Sequence, residues 1–521
     1  MRTTSTDRRD FLSNVGRGML VAGIGFSVAQ DLGLAPALAE EAPAERLTFG
    51  ARERLVAMMQ ETPPDRLLPQ LVELHRRGTD LRELVAAGAL ANARAFGGED
   101  YIGFHTFMAL MPAYRMAQLL PSERQALPVL KVLYRNAQRL QASGASNADV
   151  LHPVSAAAVA EPPYMEHIRE AIHRGDTATA EQLLAAAAQD SAETAWNELL
   201  PVVHEAPEVH RIVLAHRAWD MLDLVGIEYA ETMLRQSVRF CIRGEQPRVR
   251  HFGQVPDFLA RTLEQHKLLS GQLGSRQADD AWIESMVETL FGATREQAAD
   301  AVAGALAEGI APESVCEAIC LTANQLVLRD AGRSAQLAEP GKPEGSVHGD
   351  SIGVHASDSA NAWRHVASFS NPRNAAASLV LAGWHVAQDR SRGANFQEWQ
   401  PRPTREDLAG ITSEDPQRLL AEIDGAIREQ DQRRACAVVH RYLELGHDEQ
   451  PVFSILLRHS TSEDGALHAE KYFWTVTDEY HRTRPAFRNR QLVALARVTA
   501  SEYGNRAPGY EQACELLGCD V

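Results

Sequence analysis

Residues 166–210 read EHIREAIHRGDTATAEQLLAAAAQDSAETAWNELLPVVHEAPEVH, and the fold class follows from this stretch. Its apolar residues recur three and four positions apart: Ile168, Ala171 and Ile172, then Leu183, Leu184 and Ala187, then Trp196, Leu199 and Leu200. That is the spacing of one face of a helix. Gly175, Asp176 and Thr177 break the first helix from the second, and Ser191 breaks the second from the third. A loop then leads to Val209-His210, which opens another helix.

The same order recurs along the chain. Trp282–Phe291, Glu296–Gly309 and Pro312–Leu328 lead to Val354-His355. Pro416–Glu429, Gln432–Leu445 and Glu449–His459 lead to Leu467-His468. Arg52–Gln60, Arg66–Arg76 and Asp80–Phe96 lead to Phe104-His105. Nothing alternates with period two over a strand length. The pattern predicts an all-α protein of four degenerate helical repeats, roughly 100 residues each, compactly packed. Polar, Gly- and Pro-rich breaks at 147–163, 244–256, 335–351 and 390–415 divide it. The expected repeats are 40–150, 151–245, 246–400 (with polar insertions) and 401–521.

Residues 1–39 stand apart. Arg8-Arg9-Asp10-Phe11-Leu12 precedes a mildly apolar run from Gly18 to Ala29, and Ala37-Leu38-Ala39 is a small-x-small cleavage site. This resembles a twin-arginine (Tat) export signal. The resemblance implies recognition by the Tat export machinery, passage in the folded state and a periplasmic or cell-envelope location. Many proteins on that route carry a cofactor. An amphipathic N-terminal arm is the alternative.

The bulk numbers narrow the rest. The chain has 521 residues, 45% hydrophobic and 23% charged, which suits a globular protein with a substantial core. No later stretch offers about 18 uninterrupted apolar residues, so no stable membrane insertion is expected after cleavage. The net charge of −17 is spread along the chain and argues against nucleic acid as a partner. Six cysteines make no disulfide scaffold. Cys514 and Cys519 are spaced to form a disulfide in an oxidising compartment, or they are buried thiols.

The histidines carry the chemistry. His105, His210, His355 and His468 head comparable segments, and two have a further histidine upstream, His204 and His348. Glu99 and Asp100, or Glu463 and Asp464, stand at the corresponding places of the other two. In an open solenoid the four would lie along a ridge. In a closed packing they would converge, and neutral imidazoles with nearby carboxylates make a site for Fe, Cu, Mn or Zn. The expected ligand set is therefore His105, His204, His210, His348, His355 and His468, with the carboxylates supplying charge or orientation. The other reading is of capping and core histidines satisfied by backbone groups. The spacing matches no standard zinc or metalloprotease motif.

His348-Gly349-Asp350-Ser351-Ile352-Gly353 contains Gly-x-Ser-x-Gly, but a Gly/Pro-rich loop precedes it where a nucleophile elbow needs a strand. No nucleotide-binding glycine motif, phosphate loop or c-type haem motif is present. Tyr101, Phe104, Phe107, Tyr114, Trp219, Trp363, Trp384, Tyr472, Phe473 and Trp474 lie near the histidines in sequence, as pocket wall or as core.

Val209-His210-Arg211-Ile212-Val213-Leu214-Ala215-His216 and Gly353-Val354-His355 resemble segments of the questin oxidase-like family. That family is helical, contains histidines and oxygenates polyketide aromatics, although its His-Gly-x-Thr pattern is missing here. The resemblance implies an oxidoreductase and favours His210 and His355. Together these features predict an exported, His-dependent, metal-binding oxidoreductase acting on a small apolar or aromatic substrate. The alternative is a non-catalytic helical-repeat binding module in the periplasm.

Overall fold

A computed structural model describes residues 45–157, 162–392, 396 and 398–520. The export-signal motif and its cleavage site lie outside the described residues. Thr48–Val521 form one compact unit. It is all-α: among the described residues the only β features are three isolated bridges. No helix among them is long and apolar enough to cross a membrane.

Twenty of the described helices can be set in four groups of the same order. Glu53–Glu61, Pro64–Arg76 and Leu81–Phe96 precede Tyr101–Ala117 and Leu127–Ser143. Met165–His173, Thr177–Asp190 and Ala192–Val203 precede Val209–Asp220 and, after a short turn, Ala230–Arg243. Asp280–Gly292, Arg295–Ala307 and Pro312–Leu328 precede Ile352–Phe369 and Pro372–Arg392. Pro416–Arg428, Gln432–Glu444 and Gln450–Ser462 precede His468–Arg482 and Asn489–Glu502. In every group the third helix packs on the fourth, and the fifth packs on the second, third and fourth.

The fourth helices make the centre. Tyr101–Ala117 packs on Val209–Asp220, which packs on Ile352–Phe369, which packs on His468–Arg482, which packs back on Tyr101–Ala117. The ring is closed by burial. Trp363, Phe107, Tyr472 and Phe473 are fully buried, and an aromatic side chain of that size removes 150–250 Å² each from water. Tyr101, in contrast, is 62% exposed.

Local chemistry fixes where three of these helices start. Asp100 accepts from Gly103 N at 2.7 Å, Glu208 from Arg211 N at 3.0 Å and Ser351 from Val354 N at 3.3 Å. These caps satisfy amides that have no partner within the helix. Ser351 is therefore a helix cap, and no strand precedes it, so the Gly-x-Ser-x-Gly stretch is not a nucleophile elbow. Leu467 enters the last helix at φ +68.

One expectation changes. The break expected at 244–256 holds the helix Glu245–Phe252, and Val255–Gln265 starts within its end. Pro247 and Pro256 sit in first turns, where a missing N–H costs nothing. All six cysteines are free thiols and all but Cys519 are buried, which agrees with the second of the two readings for Cys514 and Cys519.

Candidate functional site: a ring of four imidazoles

His105, His210, His355 and His468 are the fifth, second, fourth and first residues of their helices. The closed packing brings these helix starts to one place. Ring centroids stand 4.9 Å apart for His105 and His210, 5.7 Å for His210 and His355, 5.2 Å for His355 and His468, and 5.3 Å for His468 and His105. The four imidazoles thus form a closed quadrilateral.

Hydrogen bonds decide which nitrogens face inward. His105 Nδ1 lies 2.7 Å from the Tyr101 carbonyl oxygen, and His468 Nδ1 lies 3.1 Å from that of Ala466. His210 Nδ1 lies 2.7 Å from the Glu208 carboxylate. Each partner only accepts, so each Nδ1 carries the proton and each Nε2 keeps its lone pair. The Nε2 atoms of His105 and His210 are buried and have no partner. The Nε2 atoms of His355 and His468 are 3.2 Å apart; with the His468 proton on Nδ1, His355 must be the donor, so its own Nε2 carries a proton. Such anchoring of the outer nitrogen sets tautomer and ring direction in metal-binding histidines.

Burial favours neutral rings. It pushes His105 down to about 2 and His355 to about 3, with the Lys471 ammonium and neighbouring imidazoles adding to the effect. His468 falls well below the usual histidine range for the same reasons. Lys471, buried behind the ring, is itself lowered to about 8 by burial, against the opposing pull of Asp358 and Glu470.

The other two expected ligands separate. His348 lines a small polar cavity of about 190 Å³ together with His468, and its buried Nε2 has no partner. His204 lies elsewhere: its Nε2 meets Ser378 Oγ at 2.9 Å, and its ring is 5.9 Å from that of Trp363. Its loop turns it toward the Pro372–Arg392 helix, so it is a core histidine here. The carboxylates expected near the ring are taken by arginines. Glu99 pairs with Arg239 at 2.8 Å, Asp100 with Arg139, Glu463 with Arg506 at 2.9 Å and Asp464 with Arg135 at 3.4 Å. Glu208, inside the densest histidine segment, does the orienting instead.

The ring is wider than a metal shell: among the described residues, no three of its imidazoles offer nitrogens all within 4.8 Å of one another. Nitrogens sharing a metal stand roughly 3–4 Å apart, a separation that the His355–His468 pair meets. Among the described residues, one set of three ligand groups has atoms all within 4.8 Å of one another: His173, Glu205 and Glu245. Its chemistry fits an ion-pair network better than a metal. Arg169 donates to Glu205 at 2.6 Å, His173 meets Glu205 at 2.7 Å and Arg248 pairs with Glu245 at 2.6 Å. The guanidiniums already neutralise the carboxylates that a cation would need.

A second cavity, about 320 Å³, reaches His210 from the opposite neighbours. Tyr101, Phe104, Phe240 and Phe252 line it. Phe104 stacks on His105 at 4.9 Å and meets Phe240 edge-on at 5.4 Å, so one side chain joins the aromatic wall to the ring. The arrangement supplies inward lone pairs beside an apolar chamber large enough for one small molecule. Comparison with known families, curated proteins and solved structures finds no match to this chain.

Proposed function

We propose that the chain is a metal-dependent oxidoreductase acting on a small apolar or aromatic substrate. Its metal would be held by His105, His210, His355 and His468. The observation that supports this reading is the buried quadrilateral of imidazoles with three outer nitrogens anchored, the Nε2 atoms of His105 and His210 without a partner, and those of His355 and His468 in contact with each other. A transition metal held there would supply Lewis acidity or one-electron chemistry. The chain's own residues do the rest. Glu208 and the Tyr101 and Ala466 carbonyls hold the imidazoles in one tautomer. Phe104 and Phe240 exclude water on the chamber side. Lys471 and Asp358 place a titratable pair behind the ring.

The four five-helix groups fit an origin in degenerate repeats, which would explain one histidine per group. Export by the Tat route, with the site assembled beforehand, fits the N-terminal motif, and the questin oxidase-like resemblance favours oxygen or redox chemistry.

The test is elemental analysis of the full chain, purified without chelators or immobilised metal. The expected result is roughly one Fe, Cu, Mn or Zn per chain, lost in a His355→Ala, His468→Ala double variant that keeps its helical circular dichroism. Metal-free protein that also fails to take up these ions in titration would refute the metal centre. The wide spacing of the ring favours, in that event, a non-catalytic helical module that binds a partner.

A further inference from the structure

The chamber beside His210 is not purely apolar. Arg211 lines it and is 3% exposed. Its Nη2 donates to the Val202 carbonyl oxygen at 2.5 Å, and its buried Nε has no partner. Arg243, at the exposed rim, donates to the Glu99 backbone oxygen. The neighbouring arginines differ. Arg239 pairs with Glu181 and Glu99, Arg235 with Glu181 and Glu231, Arg248 with Glu245 and Arg169 with Glu205. No ion pair joins either Arg211 or Arg243 to a carboxylate among the described residues. The chamber's own carboxylates are engaged: Glu99 with Arg239, and Glu208 with His210 and the Arg211 amide.

Glu245 acts on Arg211 only from beyond ion-pair distance, and a buried guanidinium with no carboxylate in contact is costly unless an anion completes it. Its planar donors suit a carboxylate. In a chain of net charge −17, two arginines bonded to backbone oxygens but joined to no carboxylate stand at one aromatic chamber. We propose that the chamber takes an aromatic or apolar carboxylic acid. Its carboxylate would meet Arg211 and Arg243, and its ring would lie among Tyr101, Phe104, Phe240 and Phe252. The acid's ring would then face His210 across Phe104. This substrate class rests on the site proposed above, yet its binding is measured independently of the metal.

The probe pair is 2-naphthoate and its neutral isostere 2-naphthamide, titrated calorimetrically into the full chain with metal content measured on the same sample. The expected result is that naphthoate binds at least about tenfold tighter than the amide, the gain of one charge-assisted contact. Arg211→Met should abolish that preference, and Arg211→Lys should restore part of it. Should the buried Arg211→Met variant unfold, Arg243→Gln, at an exposed position, should still reduce the preference by several-fold. Equal affinity for acid and amide, or no binding of either, overturns the acid proposal even if metal is present. Selective naphthoate binding by metal-free protein upholds it, and the metal reading then falls only if that protein also fails to take up ions in titration.

Discussion

Gly349 is the residue through which the imidazole ring can be disturbed without touching a histidine. A Cβ placed on Gly349 would lie 2.2 Å from the Cβ of His468 and 2.9 Å from Glu502 Oε1. Carbon atoms at rest stand about 3.5–4.0 Å apart. A Gly349→Ala substitution therefore has to separate the loop from the start of the His468–Arg482 helix by more than about 1 Å. His468 is the first residue of that helix, so the displacement falls on its 3.2 Å contact with His355. Overpacking of this kind costs about 1–3 kcal/mol. Ligand misplacement should lower metal affinity about 10–100-fold, the range seen when the supporting shell of a metal is altered. The assay is chemical denaturation together with competition titration of the metal. Gly425→Ala serves as control, because a Cβ there meets nothing within 4 Å. Sitting inside the Pro416–Arg428 helix, that change should stabilise by roughly 0.5–1 kcal/mol and leave metal affinity alone. A Gly349→Ala protein with wild-type affinity would refute the reasoning that His468 must stay in place for the ring to work.

Other expectations follow from the same geometry. Burial raises the Asp389 carboxyl from 3.8 to about 7, so the folded chain holds that proton more tightly than the unfolded one. Asp389's own contribution to stability should therefore fall as pH rises from about 4 through 7, against the rise that the depressed buried histidines give, and Asp389→Asn should lack that loss. The variant's advantage at pH 8 over pH 4 should be about 2–4 kcal/mol in urea unfolding, and an equal difference at both pH values would contradict it. Ser351→Ala should cost about 1 kcal/mol as a lost cap and leave metal content unchanged; labelling of Ser351 by a serine-hydrolase probe would argue otherwise. Changing Arg8 and Arg9 together to Lys should stop export, followed by cell fractionation, and normal export would remove the Tat reading.

Much of this arrangement is legible in the sequence, because helix period and helix punctuation are local. Gly175, Ser191 and Asp431 mark breaks between helices whatever surrounds them. The gathering of His105, His210, His355 and His468 could be anticipated only through their shared place after three helices. What the sequence hides is the direction of each loop. His204 and His210 are six positions apart, yet the Pro207 turn sends one into the core against Ser378 and the other into the ring. Likewise, Asp100 and Glu463 stand beside the right histidines but are claimed by Arg139 and Arg506 from distant helices. Arg211 and Lys471 were invisible as site residues, since an amphipathic pattern treats a cation as a solvent-facing position. Only three-dimensional burial shows that they are not.

The closed order of the central helices has a consequence for how the chain is made. Lys131, from the first group, reaches the Glu463 carbonyl oxygen across 332 positions and pairs with Glu470 at 2.6 Å. A nascent chain therefore offers two or three imidazoles for about half of its synthesis, from His210 to the arrival of His468, with no fourth wall. The centre closes only when the last group arrives, and long-range closure of this kind is a late, slow event in folding. Ions captured before then would meet an open, poorly selective half-site. If the proposed metal centre exists, the identity of its metal should accordingly depend on what the surrounding compartment supplies at the moment of closure, not on which ion the growing chain encounters first.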